Sequence, residues 1–236
     1  SLDAVSEASI HSDAAGIVEA AGNPDGNEAP LAINAVIATN SILNTVRVSF
    51  NQGLADAAGS IAMTATSPTK VTADNRAVVT SDGVAAGVTL AFNSIGIQTS
   101  NLFTSGIDAL LGRVLATGTP AGGEVHVIGS VLKAGGDIEI SAGSGVDAEQ
   151  LGALIVASIA NEATAGAAAA ASFVLASNTI HARNRVLVSA YPANSPLLSD
   201  PDAPLMEVTA AGQLSITASD AATIRSDISL AANSAG

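Results

Sequence analysis

Cysteine and tryptophan are absent from the 236 residues, and there are only one tyrosine, four phenylalanines and two methionines. Without cysteine there is no disulfide scaffold, no thiolate zinc site and no thiol nucleophile. So few aromatic rings argue against a core built around aromatic anchors, and against the stacking platforms expected of a sugar-binding cleft. Basic residues are scarce too: eight Lys and Arg stand against 21 Asp and Glu, a net charge of −13. That balance disfavours nucleic acid and anionic membrane as partners. Lys70, Arg76, Arg183 and Arg185 form no stripe in the sequence, and no aromatics interleave with them, so nucleic-acid recognition is unsupported.

What the chain does have is small apolar residues. Of its 113 hydrophobic residues 49 are Ala, while Val, Ile, Leu and Phe together number 61, enough for the chain to order itself. Thin, closely packed layers are the expected interior. The uncharged stretches Val84 to Ile107 and Ala163 to Ala182 are long enough to span a bilayer. The first carries Asn93, Gln98 and Asn101, and the second carries Asn178 and is largely Ala, so neither reads as a span of large apolar residues. The positive mean hydropathy of +0.44 is an alanine effect. The opening SLDAVSEASIHSDAAG carries Asp3, Glu7 and Asp13 and no Met, unlike the basic start and apolar run of a secretory signal.

Internal similarity is the strongest signal. AAGSIAMTATS (Ala57 to Ser67), AGGDIEISAGS (Ala134 to Ser144) and AAGQLSITASD (Ala210 to Asp220) share a small-residue turn, an alternating strand and a polar tail. Ile61, Ile138 and Leu214 correspond, as do Met63, Ile140 and Ile216, and SEASIHSD near the start resembles SDAATIRSD near the end, with Ile10 matching Ile224. A second element recurs between these: LAINAVIATNSILNTVRVSF from Leu31, LAFNSIGIQTSNLFTSGI from Leu90 and AASFVLASNTIHARNRVLVSA from Ala170. Two elements repeating in one order give units 1–59, 60–136 and 137–212 and the start of a fourth, 213–236. Insertions at Ile107 to Glu124 and Tyr191 to Pro204 absorb the differences in length.

Within each unit the period is two: Ile138, Ile140 and Ala142 alternate with Glu139 and Ser141, and Val125 and Val127 flank His126. Short strands of about five residues between glycine turns, Asn23-Pro24-Asp25-Gly26 among them, favour an all-β parallel solenoid in which each coil buries its inward row on the one below. Asn34 with Asn93, and Asn40 with Asn178, are expected to stack as amide ladders along it. The competing local reading is helix over Asp147 to Ala176, with Asp147 as cap and a run of Ala behind it. Gly152, Gly166 and the Ile155-Val156 pair weigh against it. Asp108 to Ala116 is a second candidate helical insertion.

The recurrence of GDIEISA and GQLSITA strands, small-residue stretches and Asn-bearing strands resembles the repeats of the filamentous haemagglutinin-like adhesins, giant exported bacterial surface proteins. The resemblance covers nearly the whole chain. It implies a right-handed parallel β-helix, a place at the bacterial cell surface or in the medium, and a role as stalk, spacer or adhesive fibre. Partners would be neighbouring repeats of the same or identical chains, and glycans or proteins of a host or cell surface.

Candidate chemistry is sparse. His11, His126 and His181 lack a second ligand at metal-like spacing and read as outward strand residues. No Gly-x-Ser-x-Gly elbow is present. Gly135-Gly136-Asp137 shares only its glycine pair with the calcium-binding β-roll nonapeptide, so calcium is a weak expectation and no other cofactor is expected. Asp200 and Asp202, with His181 and Tyr191, are the residues on which a carbohydrate-processing β-helix enzyme would rest. The preferred reading is non-enzymatic. Arg113 in the first insertion, and Tyr191, Asp200 and Asp202 in the second, are the candidate contact residues, because loops on a repetitive scaffold vary without disturbing it. A self-assembling filament subunit is the third reading.

Overall fold

The structure, a computed structural model, describes residues 1–22, 29–97, 120–143, 152–166, 169–191 and 206–235. The first five strands are β1 (Leu2–Val5), β2 (Ala8–Ala20), β3 (Leu31–Ile42), β4 (Thr45–Asn51) and β5 (Leu54–Ala57). The next five are β6 (Ile61–Thr66), β7 (Thr69–Ser81), β8 (Val84–Ile95), β9 (Gly122–Ile128) and β10 (Val131–Ala134). A third five follow: β11 (Ile138–Gly143), β12 (Ala153–Ala165), β13 (Ala169–Ile180), β14 (Arg185–Ser189) and β15 (Glu207–Ala210). β16 (Leu214–Ser219) and β17 (Ala222–Ser234) complete the described strands.

Each strand pairs in parallel with the strand five places along the chain. The result is five parallel sheets, β1-β6-β11-β16, β2-β7-β12-β17, β3-β8-β13, β4-β9-β14 and β5-β10-β15. The chain is all-β, with no helix among its described residues. Ile138 is the direct partner of both Ile61 and Leu214, and Ile140 of both Met63 and Ile216. The row Ile10, Val71, Ile155 and Ile224 crosses all four strands of its sheet.

Three sequence expectations need correction. The helix over Asp147 to Ala176 gives way to β12 and β13 wherever that segment is described. Ala153, Ile155, Ala157, Ile159 and Ala163 are all buried along β12, so a period-two inward row on a central strand overrides the helical propensity of alanine. Strand length is the second: β2, β7, β12 and β17 run 13 residues, and β3, β8 and β13 run 12. Inward Asn34, Asn75 and Asn161 interrupt the apolar alternation and make one long strand look like two. Third, LAFN at Leu90 pairs with IATN at Ile37 and not with LAIN at Leu31, which faces Val84. The slip is six residues, an even number, so it keeps every side chain on its face. Asp108 to Ala116 and the turn Asn23 to Gly26 lie outside the described residues.

The interior has two parts. Three short sheets enclose the main apolar cluster, in which Met63, Val125, Val127, Leu132, Ile138 and Ile140 are buried. The two long sheets pack face to face over three smaller clusters, around Ile95 and Ile155, Val79 and Ala163, and Ala91 and Ile159. Small residues let them approach. Stacking supplies the burial: Ile138 has no exposed surface, whereas Leu214, one layer on at the edge, is 47% exposed. Covering half of such a side chain is worth about 1 kcal/mol.

Turn side chains are shared between layers. Asp137 N–H donates to Ser60 Oγ at 3.0 Å, and Gln213 N–H donates to Asp137 Oδ1 at 2.7 Å. The Gly-Gly-Asp triplet is therefore a turn whose carboxylate binds the next layer's backbone. At Gly123 the backbone of β9 comes so near β6 that a Cβ would strike the Ala65 carbonyl, whereas a Cβ at Gly59 meets nothing within 4 Å. Gly123→Ala should lower stability by about 1–3 kcal/mol, the usual cost of overpacking. Gly59→Ala should be neutral or slightly stabilising, and urea unfolding of the two variants checks the difference.

Candidate functional site

Two constellations of polar residues stand out, one on an outer face and one inside. On the outer face of β4-β9-β14 the register places Arg47 and Arg185 on either side of Glu124. Although it alternates with inward Val125, Glu124 is only 5% exposed. Its Oε2 accepts from Arg47 Nε at 2.9 Å and Nη2 at 2.5 Å, and its Oε1 accepts from Arg183 Nη2 at 3.0 Å. Charge-assisted bonds of this kind offset the desolvation of the carboxylate. His126, two residues along the same face, places Nε2 3.5 Å from Glu124 Oε2.

The electrostatics follow from this geometry. Burial on its own would raise the Glu124 pKa, but the hydrogen bonds from Arg47 and Arg183, helped by the charges of Arg47 and His126, hold it below its usual value. Burial first, then the charges of Arg47 and Arg185, push the His126 pKa down against the pull of Glu124. Two guanidiniums bind one carboxylate and a third, on Arg185, belongs to the neighbouring register position, so an excess of positive charge sits on one face of an acidic chain. Chemically the cluster clamps strands together. A carboxylate held at both oxygens by arginine is a poor proton acceptor; on the same outer face the register sets Ser49 beside His126.

The second constellation is an amide ladder between the long sheets. Asn40, Asn93 and Asn178 occupy one register row of β3-β8-β13. Asn40 Nδ2 donates to Asn93 Oδ1 and Asn93 Nδ2 donates to Asn178 Oδ1, both at 2.8 Å. The ends cross the interior: Asn40 Nδ2 also donates to Ser12 Oγ at 2.9 Å, and Asn178 Nδ2 to Ser226 Oγ at 3.3 Å. The ladder thus ties the two long sheets together as well as their layers.

Asn34 is not on that ladder. Its register partner is Gly87, and its Nδ2 donates to the Val78 carbonyl at 3.3 Å. It lies over Gly16, where an added Cβ would come within 2.6 Å of its Oδ1. Of the loop residues singled out from the sequence, Arg113, Asp200 and Asp202 lie outside the described residues. Tyr191 packs its ring against Gly129, and its buried hydroxyl makes no hydrogen bond. His11 is an exposed outward residue of β2, and His181 is exposed in the turn after β13. His126 is outward but mostly covered, and pairs with Glu124. Among the described residues no group of three or more His, Asp or Glu gathers to hold a metal ion.

The Glu124 cluster was the residue set not anticipated. Its signal lay in the spacing: Arg47 and Glu124 are 77 residues apart, the same offset that separates Ile61 from Ile138. A charge and its complement at the repeat distance are neighbours in adjacent layers. The chain matches no protein-family model, no curated protein and no solved structure.

Two predictions follow from the geometry. Both shifted groups bind fewer protons folded than unfolded, so stability falls on acidification. His126 costs stability as pH drops below 6.5 toward its lowered value, and Glu124 as pH drops below 4.5 and through its own. Melting temperatures recorded against pH should decline in those two windows, with His126→Gln flattening the upper and Glu124→Gln the lower. Replacing the central rung, Asn93→Leu, removes the acceptor of one Asn40 Nδ2 hydrogen, whose other hydrogen keeps Ser12, and the donor to Asn178 Oδ1, and should cost about 1–3 kcal/mol in all. Chemical denaturation measures it.

Proposed function

We propose that this chain is a structural and adhesive module of a large exported protein at a bacterial cell surface or in the medium, acting as stalk, spacer or fibre. The observation that carries the reading is the pairing of every strand with the one five places along, in parallel. Strands that recur in such a cycle support a reading as coils of a parallel β-solenoid, and the near-universal right-handedness of parallel crossovers favours that hand for it.

Each coil templates the next, so length can be added without a new core. The described polar chemistry serves cohesion: Glu124 binds Arg47 of the strand beside it and Arg183 of the turn before β14, and the amide ladder binds coil to coil. This favours a non-enzymatic role over a carbohydrate-processing one. Acidic residues spread over the outer faces keep a long or crowded surface soluble by repulsion. Residues 107–119 and 192–204, which lie outside the described strands, are the places for contact with glycans or proteins of another surface, whereas Gly122 to Glu124, at the end of the first insertion read from the sequence, belong to β9. No helix of the described chain is long and apolar enough to cross a membrane.

The architectural half of the reading is tested by circular dichroism and by X-ray diffraction from aligned, dried protein. Strand-dominated spectra with a reflection near ~4.8 Å along the stacking axis are expected, and a helix-rich spectrum would overturn it. The adhesive half is tested with beads coated in the chain and passed over cell layers and glycan-coated surfaces. Retention that is lost when both loops are shortened is expected. Beads that pass freely would leave the spacer role alone.

A further inference from the structure

The outer face of the sheet β3-β8-β13 differs from every other face of the molecule. The 36 residues of the sheet, 12 in each of three strands, include no Asp, Glu, Lys or Arg on either face. The adjoining long sheet instead points Glu19, Asp74, Arg76 and Glu162 outward. On the uncharged face the outward residues of the first four register rows are all apolar. Leu31, Ile33, Ile37 and Phe173 are 61%, 59%, 53% and 52% exposed, with Leu90 and Leu175 completing the row of Ile37. Contiguous apolar surface of this kind on a soluble chain marks an interaction site.

We propose that this face docks a second copy of the same chain, sheet against sheet. The charge distribution selects the occupant. Two chains that each carry −13 repel wherever acidic faces approach, and this sheet is where two copies meet without bringing like charges together. Shape agrees: a flat array of evenly spaced parallel strands is complementary to itself, and two such faces pack about 10 Å apart. Phe92 and Ser94, in the last two outward rows, are each only 4% exposed, so the open part of the face is its first four outward rows, roughly 27 Å long and roughly 14 Å wide, and the pair would bury roughly 750 Å². That lies below the size of stable specific interfaces, among weak and transient contacts, so the dimer forms only with rising concentration. This inference rests on the composition of one face and holds whether or not the chain is a surface stalk. Within a stalk it would couple neighbouring solenoids laterally, with every added coil widening the contact.

Sedimentation velocity on the 236-residue chain from micromolar to millimolar concentration tests the proposal. The mass should climb from 22.9 kDa toward twice that value. The double variant Ile33→Glu, Phe173→Glu should remain monomeric, with at least a tenfold weaker association and an unchanged circular dichroism spectrum. If it fails to fold, the milder pair Ile33→Ser, Ile37→Ser serves instead. An edge variant, Ile228→Lys on β17, should leave dimerisation intact. Association that survives the face variants and disappears in the edge variant would mean end-to-end stacking and sink the proposal. So would a chain that stays monomeric throughout, or one that binds phosphatidylcholine vesicles as a monomer, which would make the face a lipid contact.

Discussion

Parallel in-register stacking is the constraint on which everything else in this protein depends. Because each strand lies on the one five places earlier, an inward side chain rests on its counterpart in the layer below, and the interior is built in rows. A row of Ile10, Val71, Ile155 and Ile224 can be apolar, and a row of Asn40, Asn93 and Asn178 can be amide, but a row cannot change chemistry freely from layer to layer. Mixed rows exist where space allows: Asn34 sits in line with Gly87 and over Gly16, so a large polar group is matched by the removal of side chains around it.

The same constraint explains the composition. Sheets that face one another across a narrow interior are served by Ala, Val, Ile and small polar residues, and a tryptophan would force the layers apart. It also explains where charge can be buried. Glu124 is nearly covered on an outer face because register delivers Arg47 beside it and brings Arg183 within reach, turning a desolvated carboxylate into a clamp. To the backbone ladders between layers the side chains therefore add apolar rows, an amide ladder, turn hydrogen bonds and charged cross-links at Glu124 and between Lys133 and Glu207.

How legible this was in the sequence depended on the kind of row. The strands opening each repeat were readable because large β-branched residues recur at offsets of 77 and 76 after a glycine turn. The amide ladder was only half readable. Its rungs are 53 and 85 residues apart, since unequal connections separate them, and LAIN resembles LAFN more closely than IATN does. An even slip in register leaves the alternation unchanged, so periodicity alone has no means of choosing between them. Glu124 was hidden for another reason: an acidic residue alternating with valine on a strand reads as a solvated outward charge until the strands beside it are known.

By itself the sequence determined an all-β chain of stacked repeats, because alternation, glycine turns and recurring inward residues are local or nearly periodic signals. The helical alternative across the alanine-rich segment was decided by tertiary structure, which turned those alanines into an inward row of a central strand. So were the length of the long strands, the rung partners of Asn93 and the burial of Glu124. The physical reason is common to all of them: each depends on which residue lies one layer away, and connections of variable length place that neighbour at no constant distance along the chain.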